Sequence, residues 1–168
     1  MEKKKSIFRD ILESVLIAVL IVFVMFRFVI MSVEVKGTSM EPLLETGDRG
    51  ISFMVIRNME IRRFDICVID TEKSSSYLVK RVIGLPGETL EYIDNKLYIN
   101  GEYVEEGFLS DVYTTDFHYE LGEDEYFCLG DNRNVSRDSR YYGPFVKKEI
   151  KATGIFIYYP FDKFGFRE

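Results

Sequence analysis

The chain has 168 residues and a formal net charge of −6 at pH 7, and this length fits one compact domain with an appendage. The charge is uneven, because residues 1–30 carry a net +2 and the remainder therefore carries −8. The acidic remainder argues against a nucleic-acid-binding protein, whereas the basic N-terminus suits an anionic membrane surface.

Residues 11–33 form a strongly apolar segment. Its uninterrupted core runs from Val15 to Phe26 and lacks the polar stripe that a soluble helix would show. The segment is long enough to cross a bilayer of about 30 Å, and no small-x-small motif follows it, which argues against a cleaved signal peptide. The lysines at positions 3–5 place the N-terminus in the cytoplasm. The predicted division is a cytoplasmic segment at 1–10, a transmembrane anchor at 11–31 and an outer domain at 32–168.

The outer domain is predicted to be mainly β-structure. Short runs rich in β-branched and aromatic residues alternate with turn signals, and helical periodicity is scarce apart from one possible turn at Val146–Ile150. Asp94-Asn95 and Asn100-Gly101 are typical of hairpin turns, and Lys73–Ser76 of an exposed loop tip. The predicted strands are Ser32–Lys36, Arg49–Val55, Asp65–Asp70, Tyr77–Ile83, Thr89–Ile93, Lys96–Ile99, Glu102–Val104, Glu125–Leu129 and Ile150–Tyr159.

Ser39 lies just past the predicted strand that leaves the membrane. Its loop begins at Gly37, which permits close approach of a ligand, and ends at Pro42, which stiffens the turn. A serine hydroxyl needs a base to act as a nucleophile. Histidine is the usual partner, but His118, the only histidine, lies in an acidic stretch with no other sign of a site.

A neutral lysine is the other base that serine nucleophiles use. Strand alternation places Leu78, Lys80 and Val82 on one face, so Lys80 has apolar neighbours, and Arg81 on the other face is free to pair with a carboxylate. A lysine ordinarily titrates near 10.4, and lowering its pKa by about three units costs about 4 kcal/mol, which burial must supply. A surface lysine on an exposed strand is the alternative interpretation.

A third cluster, GDNRNVSRDSRYYG, spans Gly130 to Gly143. So many polar groups usually indicate a solvated loop. The alternative is a set of groups that support a site, in which Asp138, Arg140 and Arg81 form an ion-pair network and Ser136 hydrogen-bonds to the lysine. The two cysteines, Cys67 and Cys128, lie in apolar runs without metal-ligand spacing, which favours buried hydrophobic residues and leaves a disulfide open.

Three blocks, in order along the chain, resemble the bacterial type I signal peptidases, the Ser-Lys endopeptidases that remove signal peptides from exported proteins. GTSMEPLL resembles the nucleophile block, YLVKRVIGLPGE the base block and GDNRNVSRDSRYYG the late polar block, and RRFDICVID resembles the strand between the first two. The resemblance covers essentially the whole chain. It departs at Asn134-Val135, where the family often has Asp-Asn, and at Gly37, where some members carry a serine that donates to the oxyanion.

The resemblance implies an all-β, signal-peptidase-like catalytic domain behind one transmembrane helix, with Ser39 as nucleophile and neutral Lys80 as general base. It implies cleavage after small-x-small (Ala-x-Ala) sites of extended substrates, bound by β-augmentation at Ser32–Lys36 and Tyr77–Lys80. The expected oxyanion and site-loop residues are Gly37 and Thr38, beside the N–H of Ser39 itself. The expected supporting residues are Ser136, Asp138, Arg140, Asp131 and Arg81. The expected pocket residues are Val35, Met40, Leu44, Leu78 and Val79.

The resemblance also implies partners and a location. The expected partners are the signal peptides of secretory preproteins and the lipid bilayer, close to the secretion translocon, with no nucleic acid, metal or organic cofactor. The expected location is the bacterial plasma membrane, crossed once, with the N-terminus in the cytoplasm and the catalytic domain on the outer face. The apolar stretch Ile51–Ile56 and the aromatic tail Pro160–Phe166 either contact lipid or pack as ordinary core.

Three other functions stay open. The first is an anchored binding domain whose Ser-Lys pair is inactive. The second is a self-cleaving repressor-type Ser-Lys protease, which would be soluble and carry a DNA-binding segment where this chain has an apolar span. The third is a serine hydrolase that uses His118 as its base.

Overall fold

The structure, a computed structural model, describes residues 2–54, 60–109 and 112–167, with side chains described from residue 7 onward. It begins with a long helix, α1 (Glu2–Phe28). Over Ile7–Phe28 the mean hydropathy is 2.5 and no residue is buried, so by length and composition this helix qualifies to cross a membrane. The helix ends at Phe28, earlier than the predicted end of the anchor at residue 31, because the first strand begins at Ile30.

Beyond the helix the chain is mainly β-structure, as predicted. The strands are β1 (Ile30–Glu34), β2 (Arg49–Met54), β3 (Ile66–Ile69), β4 (Leu78–Gly84), β5 (Thr89–Ile93), β6 (Lys96–Ile99), β7 (Glu102–Val104), β8 (Phe117–Glu120), β9 (Glu125–Leu129), β10 (Phe145–Val146), β11 (Ile150–Tyr159) and β12 (Gly165–Arg167). The short helical elements are α2 (Ser139–Tyr142) and two 3₁₀ turns, Lys147–Glu149 and Phe161–Lys163.

The strands form two antiparallel sheets. The large sheet has the order β1-β2-β11-β3-β4-β9-β10, with β12 added to β11. The small sheet has the order β7-β6-β5-β8. Strand β4, which carries Lys80, therefore lies inside the large sheet, between β3 and β9, whereas β1 lies at its edge.

Three buried clusters make up the core. Alternation divides β3 between two of them, because Ile66 and Val68 face the first cluster and Cys67 and Ile69 face the second. The third cluster packs the small sheet against the large one, with Phe127 of β9 at its centre. Both faces of β3 are thus covered, which removes water from the neighbouring strand β4.

Each of the nine predicted strands is present, with ends shifted by at most two residues, although Val55 and Ile56 lie outside the described residues. The two predicted hairpin turns are also confirmed, since Asp94-Asn95 and Asn100-Gly101 have positive φ at both positions. The predicted single turn after Val146 is a 3₁₀ turn.

Besides the 3₁₀ turn Phe161–Lys163, four short elements were not predicted: β8, β10, β12 and α2. Strand β8 lies in the acidic stretch around His118, where Phe117 and Tyr119 pack inward and His118 and Glu120 face solvent. This alternation of inward and outward residues is typical of a strand and could have predicted β8 from the sequence. The other three elements have two to four residues each and depend on a partner strand or on the Asp138 cap, so local sequence carries little information about them.

Candidate active site

Ser39 lies on a loop that leaves β1 and returns to β2. The loop is closed at its base by two hydrogen bonds, from the Val35 N–H to the Asp48 carbonyl (2.9 Å) and from the Gly47 N–H to the Val35 carbonyl (3.0 Å). Met40 and Leu44 anchor it in the first core cluster, and Gly37 begins it with a φ of 87°. The loop therefore holds Ser39 half-buried at the surface of the large sheet.

Lys80 reaches Ser39 from strand β4. Its Nζ lies 2.6 Å from the Ser39 Oγ, and the side chain is only 3% exposed. In the sheet register, Lys80 lies opposite Cys67 of β3, and Val82 of the same face lies opposite Cys128 of β9. The structure thus joins the two residues singled out from the sequence, which are 41 positions apart.

Burial sets the charge of this lysine. Removal of water lowers the pKa of Lys80 below the ordinary lysine value, because the ammonium form loses its hydration. The Asp138 carboxylate works in the opposite direction but is outweighed. A lysine with a lowered pKa is more often neutral near pH 7, so its Nζ can take a proton from the serine hydroxyl beside it.

Cys67 and Cys128 are free, buried thiols whose sulfur atoms lie 3.8 Å apart. Their strands, β3 and β9, lie on either side of β4 in the large sheet. Burial raises the pKa of the Cys128 thiol well above its ordinary value. In this structure both cysteines are therefore unpaired, buried thiols that pack beside Lys80.

The late polar loop, from Gly130 to Gly143, takes part in two separate ion pairs. Arg81 donates from Nε and Nη2 to the two carboxylate oxygens of Asp131, at 2.9 and 2.8 Å. Arg140 donates to both oxygens of Asp138 in the same way, at 2.9 Å each. Of the predicted network, the pair of Asp138 and Arg140 is therefore present, whereas the inclusion of Arg81 is wrong, because Arg81 pairs with Asp131.

Asp138 also fixes the backbone next to the serine. Its Oδ2 accepts a hydrogen bond from the Gly130 N–H at 3.1 Å. A side chain at Gly130 would collide with the Ser136 Oγ and with the Ser39 carbonyl oxygen, so only glycine fits there. The position is part of the late block, but its role is visible only in three dimensions.

Ser136 does not make the predicted hydrogen bond to Lys80. Its Oγ is buried and has no hydrogen-bond partner among the described residues. The reason is its placement, because the hydroxyl faces the Cα of Gly130. Lys80 instead directs its Nζ at Ser39.

A groove of about 260 Å³ runs along β1 to Ser39. Its lining residues come from β1, the serine loop, β3 and the start of β4: Met31, Ser32, Val33, Glu34, Val35, Lys36, Gly37, Ser39, Met40, Val68, Ser76, Tyr77 and Val79. Val35, Met40 and Val79 were expected pocket residues and do line the groove. Leu44 and Leu78 do not, because Leu44 is fully buried in the first cluster and Leu78 packs against the second.

His118 lies away from the serine loop, on strand β8 of the small sheet. Its side chain is 54% exposed, and its Nδ1 lies 3.1 Å from a Glu91 carboxylate oxygen. Nothing in its contacts links it to Ser39. Among the described residues, no group of three or more His, Cys, Asp and Glu side chains is placed to hold a metal ion.

Several contacts around the site had no signal in the sequence. Asn132 hydrogen-bonds to the serine loop at Thr38 and Ser39. Arg133 forms a buried ion pair with Glu106, a residue between β7 and β8. Lys163 of the C-terminal tail pairs with the buried carboxylate of Asp48 at the base of the serine loop.

Comparison with known proteins identifies the family of this chain. The family described as signal peptidase, peptidase S26, matches residues 8–159. Signal peptidase I of Bacillus licheniformis is 37% identical over 96% of this chain and 93% of that protein. Signal peptidase I S of Bacillus subtilis (strain 168) is also 37% identical, over 96% of this chain and 94% of its own length.

A solved structure adds the fold. The crystal structure of a signal peptidase I from Enterococcus faecalis is 37% identical in sequence and superposes with a TM-score of 0.54, covering 56% of this chain and 97% of that one. On these matches and on the mainly β fold behind an apolar helix, the chain belongs to the signal peptidase I family of serine endopeptidases, peptidase family S26.

Proposed function

We propose that the chain removes signal peptides from secretory preproteins with Ser39 as nucleophile and neutral Lys80 as general base. The observation that carries this proposal is the 2.6 Å contact between the Lys80 Nζ and the Ser39 Oγ, made by a lysine that burial holds below its ordinary pKa. Family membership supports the reaction class. The dyad supports the mechanism.

In the first half of the reaction, Lys80 takes the Ser39 proton while Oγ attacks the carbonyl carbon at the cleavage site. The carbonyl oxygen becomes an oxyanion, which the backbone N–H of Ser39 stabilises. Lys80, now protonated, gives its proton to the leaving amine, and the C–N bond breaks. The mature protein leaves, and the signal peptide stays attached to Ser39 as an ester.

In the second half, Lys80 is neutral again and takes a proton from a water molecule that attacks the ester. The tetrahedral intermediate collapses, Ser39 recovers its proton from Lys80, and the signal peptide departs. Each proton in the cycle thus passes through one nitrogen, which is within hydrogen-bond distance of Oγ. No residue beyond the dyad is required to move a proton.

The groove supports extended binding of the substrate. Strand β1 is a sheet edge, and β4 pairs with β9 only from Arg81 onward, so Leu78 to Lys80 are open on that side. An extended peptide can add between these two edges by backbone hydrogen bonds. The whole groove has a volume of only about 260 Å³, and Val35, Tyr77 and Val79 help to line it, which favours small side chains before the cut, as in Ala-x-Ala.

The membrane geometry suits this substrate. The apolar helix Ile7–Phe28 has 22 residues, a length of about 33 Å that matches a bilayer core. We propose that it anchors the enzyme in the bacterial plasma membrane, with the lysine-rich N-terminus in the cytoplasm and the catalytic domain on the outer face near the translocon. Ser39 follows the helix by eleven residues, so it lies near the membrane surface where a signal peptide ends.

The aromatic tail supports contact with lipid. Phe161, Phe164 and Phe166 are exposed, and Phe166 stacks on Phe53 at 6.0 Å. Strand β2, which carries Phe53, ends beside the helix, because the Met54 N–H donates to the Val29 carbonyl at 2.8 Å. Exposed aromatic rings next to a membrane helix are typical of the interfacial region.

Cleavage of a purified preprotein that carries an Ala-x-Ala site, in detergent micelles, tests the proposal. We expect the wild type and His118→Ala to cut at the junction, and Ser39→Ala and Lys80→Ala to be inactive. A folded wild type that cuts nothing would favour an anchored binding domain. Loss of activity in His118→Ala alone would show that the base is assigned wrongly.

A further inference from the structure

Asn132 joins the late polar loop to the serine loop through two hydrogen bonds. Its backbone N–H donates to the Ser39 carbonyl at 3.0 Å. Its side-chain Nδ2 donates to the Thr38 carbonyl at 3.1 Å. Since a carbonyl oxygen only accepts, the amide group must present its NH₂ to Thr38, which fixes its orientation.

Peptide geometry turns these bonds into a constraint on the catalytic backbone. The Thr38 carbonyl and the Ser39 N–H belong to one planar trans peptide unit and point in opposite directions. A donor that holds the Thr38 oxygen therefore also sets the direction of the Ser39 N–H. Among the described residues, no protein acceptor pairs with that N–H, so it is available to a substrate oxygen.

On its upstream side, the serine loop is held within itself by the hydrogen bond from the Thr46 Oγ1 to the Gly37 carbonyl at 3.0 Å. Gly37 has no side chain to pack, and no atom lies within 4 Å of the place where its Cβ would be. Downstream, the loop is held by buried Met40 and by the hydrogen bond from the Glu41 N–H to the Thr38 carbonyl at 3.2 Å. The second bond to the Thr38 oxygen, from Asn132, comes from outside the loop.

Asn132 is itself held firmly. Its carbonyl accepts from the Ser136 N–H at 3.1 Å. The preceding residue, Asp131, is fixed by the buried ion pair with Arg81, and the following residue, Arg133, by its buried pair with Glu106. The side chain that reaches Thr38 thus starts from a rigid backbone.

We infer that Asn132 is a positioning residue, which orients the Ser39 N–H so that it meets the oxyanion. The inference rests on the proposed Ser-Lys function and adds to it a residue that determines the geometry of transition-state stabilisation. It acts through the Thr38–Ser39 peptide and does not itself contact the reacting atoms.

The test compares three variants of the full-length enzyme in micelles: Asn132→Ala, Asn132→Asp and Asn134→Ala. The aspartate has the shape of asparagine but cannot donate when ionised, and it repels the Thr38 carbonyl. Asn134 is an exposed asparagine of the same loop and serves as the matched control. Loss of an oxyanion donor costs about 10²–10³ in kcat, so partial misalignment should lower kcat on the order of tenfold in Asn132→Ala, with KM unchanged. Asn132→Asp should lower kcat further, and Asn134→Ala should leave kcat unchanged.

A second readout separates positioning from general support of the fold. A signal-sequence peptide aldehyde adds to the Ser39 Oγ, and its oxygen then occupies the oxyanion position. Its affinity should fall in Asn132→Ala by the same factor as kcat, whereas binding of the corresponding uncut peptide to a Ser39→Ala background should not change. If kcat and aldehyde affinity of Asn132→Ala equal those of the wild type, the inference is overturned. It is also overturned if the lower kcat of Asn132→Ala is fully explained by a smaller fraction of correctly folded, active enzyme. A wild type that does not cleave, or a Ser39→Ala variant that does, would instead overturn the proposed function.

Discussion

Replacement of Arg81 by methionine should strongly destabilise the catalytic domain. Arg81 and Asp131 are 1% and 3% exposed, and Arg81 supplies the donors to both oxygens of that carboxylate. Its third hydrogen bond goes to the Phe64 carbonyl at 2.9 Å, and its guanidinium lies 4.1 Å from the centre of the Phe108 ring. Arg81→Met leaves a buried carboxylate without a partner, which costs about 3–5 kcal/mol of unfolding free energy.

The assay is thermal unfolding of the full-length protein in micelles, followed by circular dichroism. A loss of this size corresponds to a decrease in Tm of roughly 10–20 °C for a domain of this length. The matched control is Lys151→Met, because Lys151 pairs with Asp70 at the surface, where both side chains are about half exposed. That exposed pair should contribute only about 0–1 kcal/mol.

The double variant Arg81→Met, Asp131→Leu identifies the cause. It removes the unpaired charge together with its partner, so most of the lost stability should return. Equal, small decreases for Arg81→Met and Lys151→Met would refute the reasoning, because they would mean that water reaches the Arg81–Asp131 pair. Failure of the double variant to recover would mean that the contacts to Phe64 and Phe108 dominate instead.

Three further predictions concern the site and its loop. Lys80→Met should abolish cleavage but raise Tm at neutral pH, because burial destabilises the charged form of the lysine. The gain in Tm should shrink as pH rises from the lowered pKa of Lys80 towards the ordinary lysine value, and a lower Tm of the variant at pH 7 would contradict this prediction. Gly130→Ala should lower kcat/KM by roughly 10²-fold, since a displaced Ser39 backbone spoils the reacting geometry, whereas Gly107→Ala, with open space around it, should have no effect. Lys163→Met should lower the free energy of unfolding by about 1–2 kcal/mol, because it leaves the buried Asp48 carboxylate without its cation. A free energy from urea unfolding equal to that of the wild type would show that the C-terminal tail does not stabilise the domain through Lys163.

Local patterns in the sequence were enough for much of the fold. Alternation marked strands such as β4 and β5, and the turn dipeptides at Asp94 and Asn100 marked two hairpins, because these features depend on neighbours along the chain. The same alternation placed Lys80 on an apolar face. Ser39 and Lys80 were then paired through their chemistry and through the family resemblance.

The contacts that the sequence did not predict depend on how distant parts of the chain meet when the sheet forms. Leu44 was expected to line a shallow apolar pocket of the groove, yet the loop folds back and buries it against β3. Glu106 and Lys163 gave no signal, since their partners Arg133 and Asp48 are distant in sequence. Ser136 was assigned a bond to Lys80 that depends on the backbone path around Gly130, which no local pattern determines.

The most direct test of the Ser-Lys mechanism is the pH dependence of kcat/KM for preprotein cleavage, measured for wild type and His118→Ala. Because neutral Lys80 is the base, activity should fall as pH decreases through the lowered pKa of Lys80, at a pH well below the ordinary lysine value of about 10.4, and His118→Ala should leave this limb in place. Activity that appears only near pH 10, or an acidic limb that disappears in His118→Ala, would contradict the assignment of Lys80 as the general base.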